Sequence, residues 1–330
     1  MNYPIRIGSS KKSMCHFLHG VSEEIFSKDD EFVFVNDESE EYDAVVYSHF
    51  DPPISHTPGV VRIFFDGESG SQYSASRDAP ISDAFDADIY IGPTANHKKL
   101  QARGIVCIYI PFASLVFGQV KEFSPLDLLD NHMPQSWEKR KFCIYLSSNT
   151  VELRESFFSE LKKKSEPYGY SVDALGSCYG EYGSFQAASS RYDDNFVDEA
   201  IRLISQYKFY IAMENEIIDG YITEKIINAY LAKSVPIYWG TPDIYKFFSP
   251  NSIIDINNFD CMSLAIKHII STAHSMSLCR AMINTEKLYA HTMDDLFSWH
   301  TEVGSHSLAK EIKRTVKKTK ELLKNNLRSK

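Results

Sequence analysis

The 330-residue sequence predicts an α/β protein made of two Rossmann-like domains facing one cleft. Three observations carry that expectation. The length exceeds what one ordinary hydrophobic core serves and fits two domains. Short, continuous apolar runs recur through the first half, as in parallel strands covered on both faces. Beyond residue 140, apolar runs alternate with helical patterns, giving a second α/β series. Between them, residues 118–139 contain Pro125, Pro134 and a charged WEKRK end. The expected division is therefore 1–137, 138–300 and a tail, 301–330.

In the first domain, strands are expected at 5–7, 32–35, 44–47, 60–65, 89–91 and 105–110, with helices at 14–26 and 95–102. In the second, a strand at 142–146 leads to a helix at 151–164, whose closing LKKK sets cations near the C-terminal carbonyls. A short strand at 171–174 follows. A helix at 195–206 carries Phe196, Ala200, Leu203 and Ile204 on one face. Next come a strand at 209–213, a helix at 223–233, and strands at 235–238 and 253–256. Helices dominate from 260 to 300, and the last of them could return to the first domain.

Composition narrows the function. Hydrophobic residues at 43% and charged residues at 24% exclude wholesale disorder. The formal net charge of −9 argues against a general nucleic-acid binder. That charge is unevenly spread: residues 310–330 hold nine Lys/Arg against two Glu, a net of +7 on an acidic body. The six cysteines, Cys15, Cys107, Cys143, Cys178, Cys261 and Cys279, form no C-x-x-C and no metal-ligand spacing. Cys107 and Cys143 sit in apolar runs, which suits reduced, buried thiols and a reducing compartment. No apolar core follows MNYPIRIGSSKK and no stretch approaches 18 apolar residues. Neither a signal peptide nor a membrane span is expected, and a cytoplasmic location is.

The chemistry concentrates in residues 209–259. An apolar strand ends at Glu214-Asn215, polar residues where an open α/β sheet places its ligand. Thr223 is the expected N-cap of the next helix, its hydroxyl accepting a backbone N–H. That helix would direct its positive end and Lys225 toward the strand ends, an arrangement that suits a phosphate. Glu224 could accept hydrogen bonds from a ribose diol. Taken alone, Glu224-Lys225 reads equally well as an ordinary charged first turn.

The run Glu214-Asn215-Glu216, Tyr221-Ile222-Thr223-Glu224-Lys225 and Val235-Pro236-Ile237-Tyr238-Trp239-Gly240-Thr241-Pro242 resembles the family 10 glycosyltransferases, the α-1,3/1,4-fucosyltransferases. Their pattern is E-N-S, then Y-[IV]-T-E-K, a helix, and V-P-[IV]-Y-x-G-x-P; Glu216 stands where the family usually has Ser. KFCIYLSSN at 141–149 is similar to the family's first donor-domain strand and loop, with Arg154 at the position of its pyrophosphate arginine. Asp173, Gly176 and Cys178 resemble its V-D-x-x-G-x-C turn. Phe64-Phe65-Asp66-Gly67-Glu68-Ser69 resembles its strand followed by G-E-N, with Ser69 in place of Asn.

The resemblance implies a GT-B-like fold and inverting transfer of L-fucose from GDP-β-L-fucose to a glycan hydroxyl, with α-1,3 linkage favoured and an N-acetylglucosamine or glucose unit as acceptor. It implies Glu68 as general base and Ser147, Asn149, Arg154, Asn215, Tyr221, Glu224 and Lys225 as donor-binding residues. No metal is implied as a requirement; a divalent ion would at most stimulate. Bacterial members often end in a basic amphipathic segment thought to bind membranes. Here Ile312, Val316, Leu323 and Leu327 share one helical face among cations, so 310–330 either meets an anionic membrane surface or docks on the acidic body.

Other readings remain at this stage: a transferase of the same fold using another GDP-sugar, or a glycan- or nucleotide-binding relative without turnover. Asp86-Ala87-Asp88 has the letters of a D-x-D metal motif but precedes an apolar run instead of ending one, which favours a role at strand entry. His16-Phe17-Leu18-His19 lacks a third ligand and reads as structural. No Gly-rich phosphate loop occurs, which leaves dehydrogenase and ATPase readings without their key element.

Overall fold

The computed structural model describes residues 4–9, 16–26, 30–35, 41–49, 51, 57–68, 85–147, 149–176 and 195–328. The sequence readings on Met14, Cys15, Ser69, the loop that follows it, and Cys178 lie outside those residues. Two compact units emerge.

The first unit is built on β1 (Ile5–Ser9), α1 (His16–Phe26), β2 (Phe32–Val35), β3 (Ala44–Tyr47), β4 (Val61–Phe65), β5 (Ile89–Ile91), α2 (His97–Ala102), β6 (Val106–Ile108) and the single turn α3 (Phe112–Leu115). Its six strands run in the order β2-β1-β3-β4-β5-β6, every pair parallel. The strands fall where their short β-branched and aromatic runs were expected, and the central ones are covered on both faces. β3, β4 and β5 are buried at every position.

The Asp86-Ala87-Asp88 segment enters β5 as its sequence position suggested. Both carboxylates take the buried Arg62 guanidinium, Asp86 at 2.5 Å and Asp88 at 3.4 Å, and Asp88 also accepts the Arg62 N–H at 2.7 Å. The pair thus ties the start of β5 to β4. His19 packs edge-on against Phe34.

The second unit contains β7 (Lys141–Leu146), α4 (Glu152–Ser165), β8 (Val172–Leu175), α5 (Phe196–Ile204), β9 (Tyr207–Met213), α6 (Glu224–Leu231), β10 (Val235–Trp239), β11 (Ile254–Asp255), α7 (Met262–His274) and α8 (Met276–Asn284). Its parallel sheet has the order β11-β10-β9-β7-β8. The chain runs outward from β7 to β8, then returns to the other side of β7 to form β9. The topological switch point therefore lies between β7 and β9, where such sheets place ligands. Phe157, Phe158 and Leu161 of α4 join Phe142, Tyr145, Phe209 and Ile211 in the core below it.

The final elements, α9 (Thr292–Phe297) and α10 (Ser307–Arg328), belong to the first unit. The first compact unit comprises Met1–Val120, Ile218–Tyr221 and His291–Lys330, and the second the rest, whereas composition suggested divisions at 137/138 and 300/301. The linker-like residues after 120 are held by the second unit: buried Asp198 accepts the N–H groups of Lys121 and Glu122 at 3.0 Å, and Lys233 pairs with Asp130 at 3.0 Å.

α10 buries Ile312 and Val316 completely. Lys317 pairs with Glu31, and Lys320 reaches Asp43 at 2.5 Å. Burial would raise the Asp43 pKa, but the Lys320 hydrogen bond and the Arg6 N–H outweigh it and hold the carboxyl below its ordinary value. Ile312→Ala is expected to destabilise the protein by about 2–5 kcal/mol through the cavity it leaves. Exposed Lys310→Ala should stay within about 0.5 kcal/mol of the parent. Urea denaturation of the two variants measures both.

Candidate donor site at the switch point of the second sheet

Four of the expected residues meet in one hydrogen-bond network. β7 ends at Leu146, and its exit loop carries Ser147 and Asn149. Gly176, at the exit of β8, shapes that loop. Its φ is +110°, and a Cβ there would lie 2.3 Å from the Ser147 carbonyl oxygen, so only glycine fits. Ser147 Oγ donates to the Asn149 carbonyl at 3.1 Å.

Arg154 rises from the first turn of α4 and is 1% exposed. Its Nη1 donates to the Met213 carbonyl at 3.2 Å and to Asn215 Oδ1 at 2.8 Å, and its Nη2 donates to the Asn149 carbonyl at 2.5 Å. One guanidinium thus joins the ends of β7 and β9. Its buried Nε–H finds no acceptor among the described residues. A guanidinium has five N–H donors, so the Nε–H and the second Nη2 hydrogen are not taken up by the described residues, and the Nε–H is itself buried.

Beside it lies a second cluster. Glu214, fully buried at the end of β9, accepts the Thr223 N–H at 2.8 Å, the Thr223 hydroxyl at 2.6 Å and Lys225 Nζ at 3.3 Å. Lys225 Nζ also donates to Thr223 Oγ1 at 2.9 Å and lies 3.6 Å from Glu224. Thr223 does sit at the N-cap of α6, but its side chain caps no backbone N–H. Its hydroxyl is taken by the nearby buried carboxylate, a stronger acceptor that would otherwise lie unpaired in a dry interior.

Burial pushes the Glu214 pKa up, with Lys225 and Thr223 acting against it. Burial would depress the Lys225 pKa, but the charges of Glu224 and Glu214 prevail and raise it. Lys225 therefore stays cationic through neutral pH. Glu214→Ala is expected to cost about 1–3 kcal/mol, because it strips the Thr223 N–H and hydroxyl of their buried acceptor, while Lys225 keeps Glu224 as its counter-charge. Glu214→Gln should cost less, since its amide oxygen still accepts from Thr223. Thermal and chemical denaturation would rank the two.

Tyr145 completes the floor of the site. Its hydroxyl donates to Glu155 Oε1 at 2.5 Å, and burial followed by that carboxylate raises the phenol pKa.

The two remaining expected residues belong to the first unit. Tyr221 is buried, 2% exposed, and follows residues 218–220. In that segment Asp219 accepts the Ala95 N–H at 3.1 Å and the Gly220 carbonyl accepts the Tyr109 hydroxyl at 3.3 Å. Glu68, half-buried, follows β4, and its N–H donates to Asp66 at 3.2 Å.

Sequence reading did not single out the hydrogen-bonding part of Glu214, nor Asp66, His49 and Tyr90. Glu214 was visible as a polar end to an apolar strand. Nothing local marks His49 or Tyr90. No group of three or more His, Cys, Asp or Glu among the described residues is arranged to hold a metal ion. No helix among them is long and apolar enough to cross a membrane.

Each unit is an open parallel α/β sheet, and the second places an arginine and a lysine near its switch point, a layout that suits an anionic ligand. A crystal structure of an α1,3-fucosyltransferase with GDP superposes with a TM-score of 0.64 at 20% identity, covering 96% of this chain and 90% of that one. The family model for glycosyltransferase family 10 (fucosyltransferase), C-term, matches residues 136–321. The chain belongs to that family. A putative fucosyltransferase of Acanthamoeba polyphaga mimivirus is 31% identical over 192 residues, 58% of this chain and 30% of that protein. An alpha-(1,3)-fucosyltransferase of Helicobacter pylori is 35% identical over 132 residues, 40% of this chain and 24% of that protein. The chain thus matches less than a third of the length of either relative.

Proposed function

We propose that the protein is an inverting α-1,3-fucosyltransferase that moves L-fucose from GDP-β-L-fucose to a hydroxyl of an acceptor glycan carrying an N-acetylglucosamine or glucose unit. The observation that carries this reading is Arg154. It is a buried guanidinium fixed by three protein acceptors, with donors left over at the switch point of a sheet whose sequence matches a fucosyltransferase family.

The leaving GDP develops negative charge on its terminal phosphate as the C1–O bond breaks. Arg154 and Lys225 supply fixed cations for that charge, and preorganised cations need little rearrangement as the reaction proceeds. Planar Arg154 suits two phosphate oxygens, whereas Lys225 acts as a point charge. Asn215, Tyr221 and Glu224 are assigned to hydroxyls of the fucose or ribose, and Ser147 and Asn149 to the phosphate-side loop. Glu68 takes the acceptor proton as the new C1–O bond forms on the opposite face of the sugar, which inverts the anomeric centre. A divalent ion is given no step.

For 310–330 the proposed membrane attachment rests on the exposed Lys310, Arg314, Lys318 and Lys324. Much of the apolar face of α10 is already buried in the first unit.

Incubation of the purified chain with GDP-fucose on a glycan array tests the activity. Transfer to glycans carrying an N-acetylglucosamine or glucose unit is expected. Transfer from another GDP-sugar in preference to GDP-fucose would overturn the donor assignment.

A further inference from the structure

The first unit contains a buried polar cluster at the ends of β3, β4 and β5. Asp66, 3% exposed, follows β4 directly. Its Oδ2 accepts the Tyr90 hydroxyl at 2.6 Å. Its Oδ1 lies 2.9 Å from His49 Nε2 and accepts the Glu68 N–H at 3.2 Å. The Asp66 N–H is itself fixed to the Ile91 carbonyl at 2.8 Å.

We propose that Asp66, braced by His49 and Tyr90, is a positioning residue that fixes the backbone at Glu68. The inference rests on the reading of Glu68 as general base. Between the two acids stands Gly67, whose backbone is permissive and would let Glu68 sample many directions. Two contacts among the described residues restrict it. The Asp66 carboxylate holds the Glu68 N–H, an Asx-type turn. On the other side, a Cβ on Gly67 would lie 2.1 Å from the Phe112 ring, so the loop lies against that aromatic face.

An Asx turn on an exposed loop is weak because water competes for the carboxylate. Here the carboxylate is dry, and its other contacts allow it a single orientation. The Tyr90 phenol pKa is pushed well up by burial and by the Asp66 charge, so Tyr90 remains a donor. His49 is seated edge-on against Phe64, with ring centroids 4.9 Å apart, and Phe64 lies in β4 itself. The brace thus runs from the interior of the sheet to the peptide that carries the base.

Two measurements on Asp66→Ala, Asp66→Asn and Tyr90→Phe test this. The first is amide hydrogen exchange at Glu68, which needs no acceptor. Asp66→Ala is expected to speed exchange there by about tenfold or more. Asp66→Asn, whose amide oxygen can still accept the N–H, should restore most of the protection.

The second is steady-state transfer from GDP-fucose to N-acetyllactosamine. In Asp66→Ala, kcat should fall about 10- to 100-fold, the scale of a misplaced reacting group, with the KM for GDP-fucose within about twofold of the parent. Tyr90→Phe, which removes one hydroxyl, should show the same split more weakly. Unchanged Glu68 exchange in Asp66→Ala, or equal losses in kcat and GDP-fucose affinity, would overturn the positioning role. If exchange responds as expected but Glu68→Gln turns over normally, the brace stands and the general-base reading fails.

Discussion

Glu68→Gln is expected to lower fucosyl transfer by about 10²–10⁴-fold, the range a positioned general base contributes. The amide keeps the size of the carboxylate and its place in the chain but has no basic oxygen to receive the acceptor proton. GDP affinity should be unchanged, because none of the nucleotide contacts is assigned to Glu68. Calorimetry with GDP and initial rates with GDP-fucose separate the two effects. A loss confined to kcat is the mark of an interaction made only in the transition state. Turnover close to the parent would remove Glu68 from the mechanism.

The second large effect is expected at Arg154. Arg154→Ala strands the Met213 carbonyl, Asn215 Oδ1 and the Asn149 carbonyl, all of which now accept from the guanidinium. Of these only Met213 is buried, while Asn215 is half-buried and Asn149 exposed, so water can replace two of the three bonds. One buried acceptor left unpaired costs about 1–3 kcal/mol, which is the loss of stability expected. Arg154→Lys is the more informative variant. It keeps a positive charge but cannot reach three acceptors and a phosphate with one ammonium. GDP affinity should drop about 10- to 100-fold, matching about 1.5–3 kcal/mol for a hydrogen bond to a charged group. Undiminished GDP affinity in a folded Arg154→Lys protein would show that the guanidinium serves the fold alone.

Much of this architecture is legible in the chain. Strands β3 and β5 have the bounds that their apolar runs suggested, because a run buried on both faces leaves little choice about where it pairs. The pattern from Glu214 to Pro242 is similarly direct, since strand, loop and helix follow one another in sequence. Arg154 and Asn215 are 61 residues apart, yet both could be singled out because each falls at a position of the family pattern. The residues that hold them were harder to see. Thr223 looked like a helix cap from its type and place. Only the approach of Glu214 shows that its hydroxyl has a better partner.

Composition and packing divide the chain at different places. Prolines and charges after 120 suggested a linker, but Asp198 reaches back 77 residues to Lys121 and holds its N–H. The basic tail likewise has a clear helical period and no legible destination. Its cations suit a lipid surface or an acidic protein surface equally. The structure places Ile312 and Val316 in the first unit and pairs Lys320 with Asp43.

The sequence by itself determined the α/β class, the order of most strands and helices, and the family pattern at the switch point. These depend on hydrophobic period, turn chemistry and spacing, all of which are local. The tertiary structure alone decided which polar groups meet: Glu214 with Thr223 and Lys225, Asp66 with His49 and Tyr90, α10 with the first sheet. A buried carboxylate takes whichever donors the fold brings within about 3 Å, and that choice follows from packing between distant segments and not from the residues beside it in the chain.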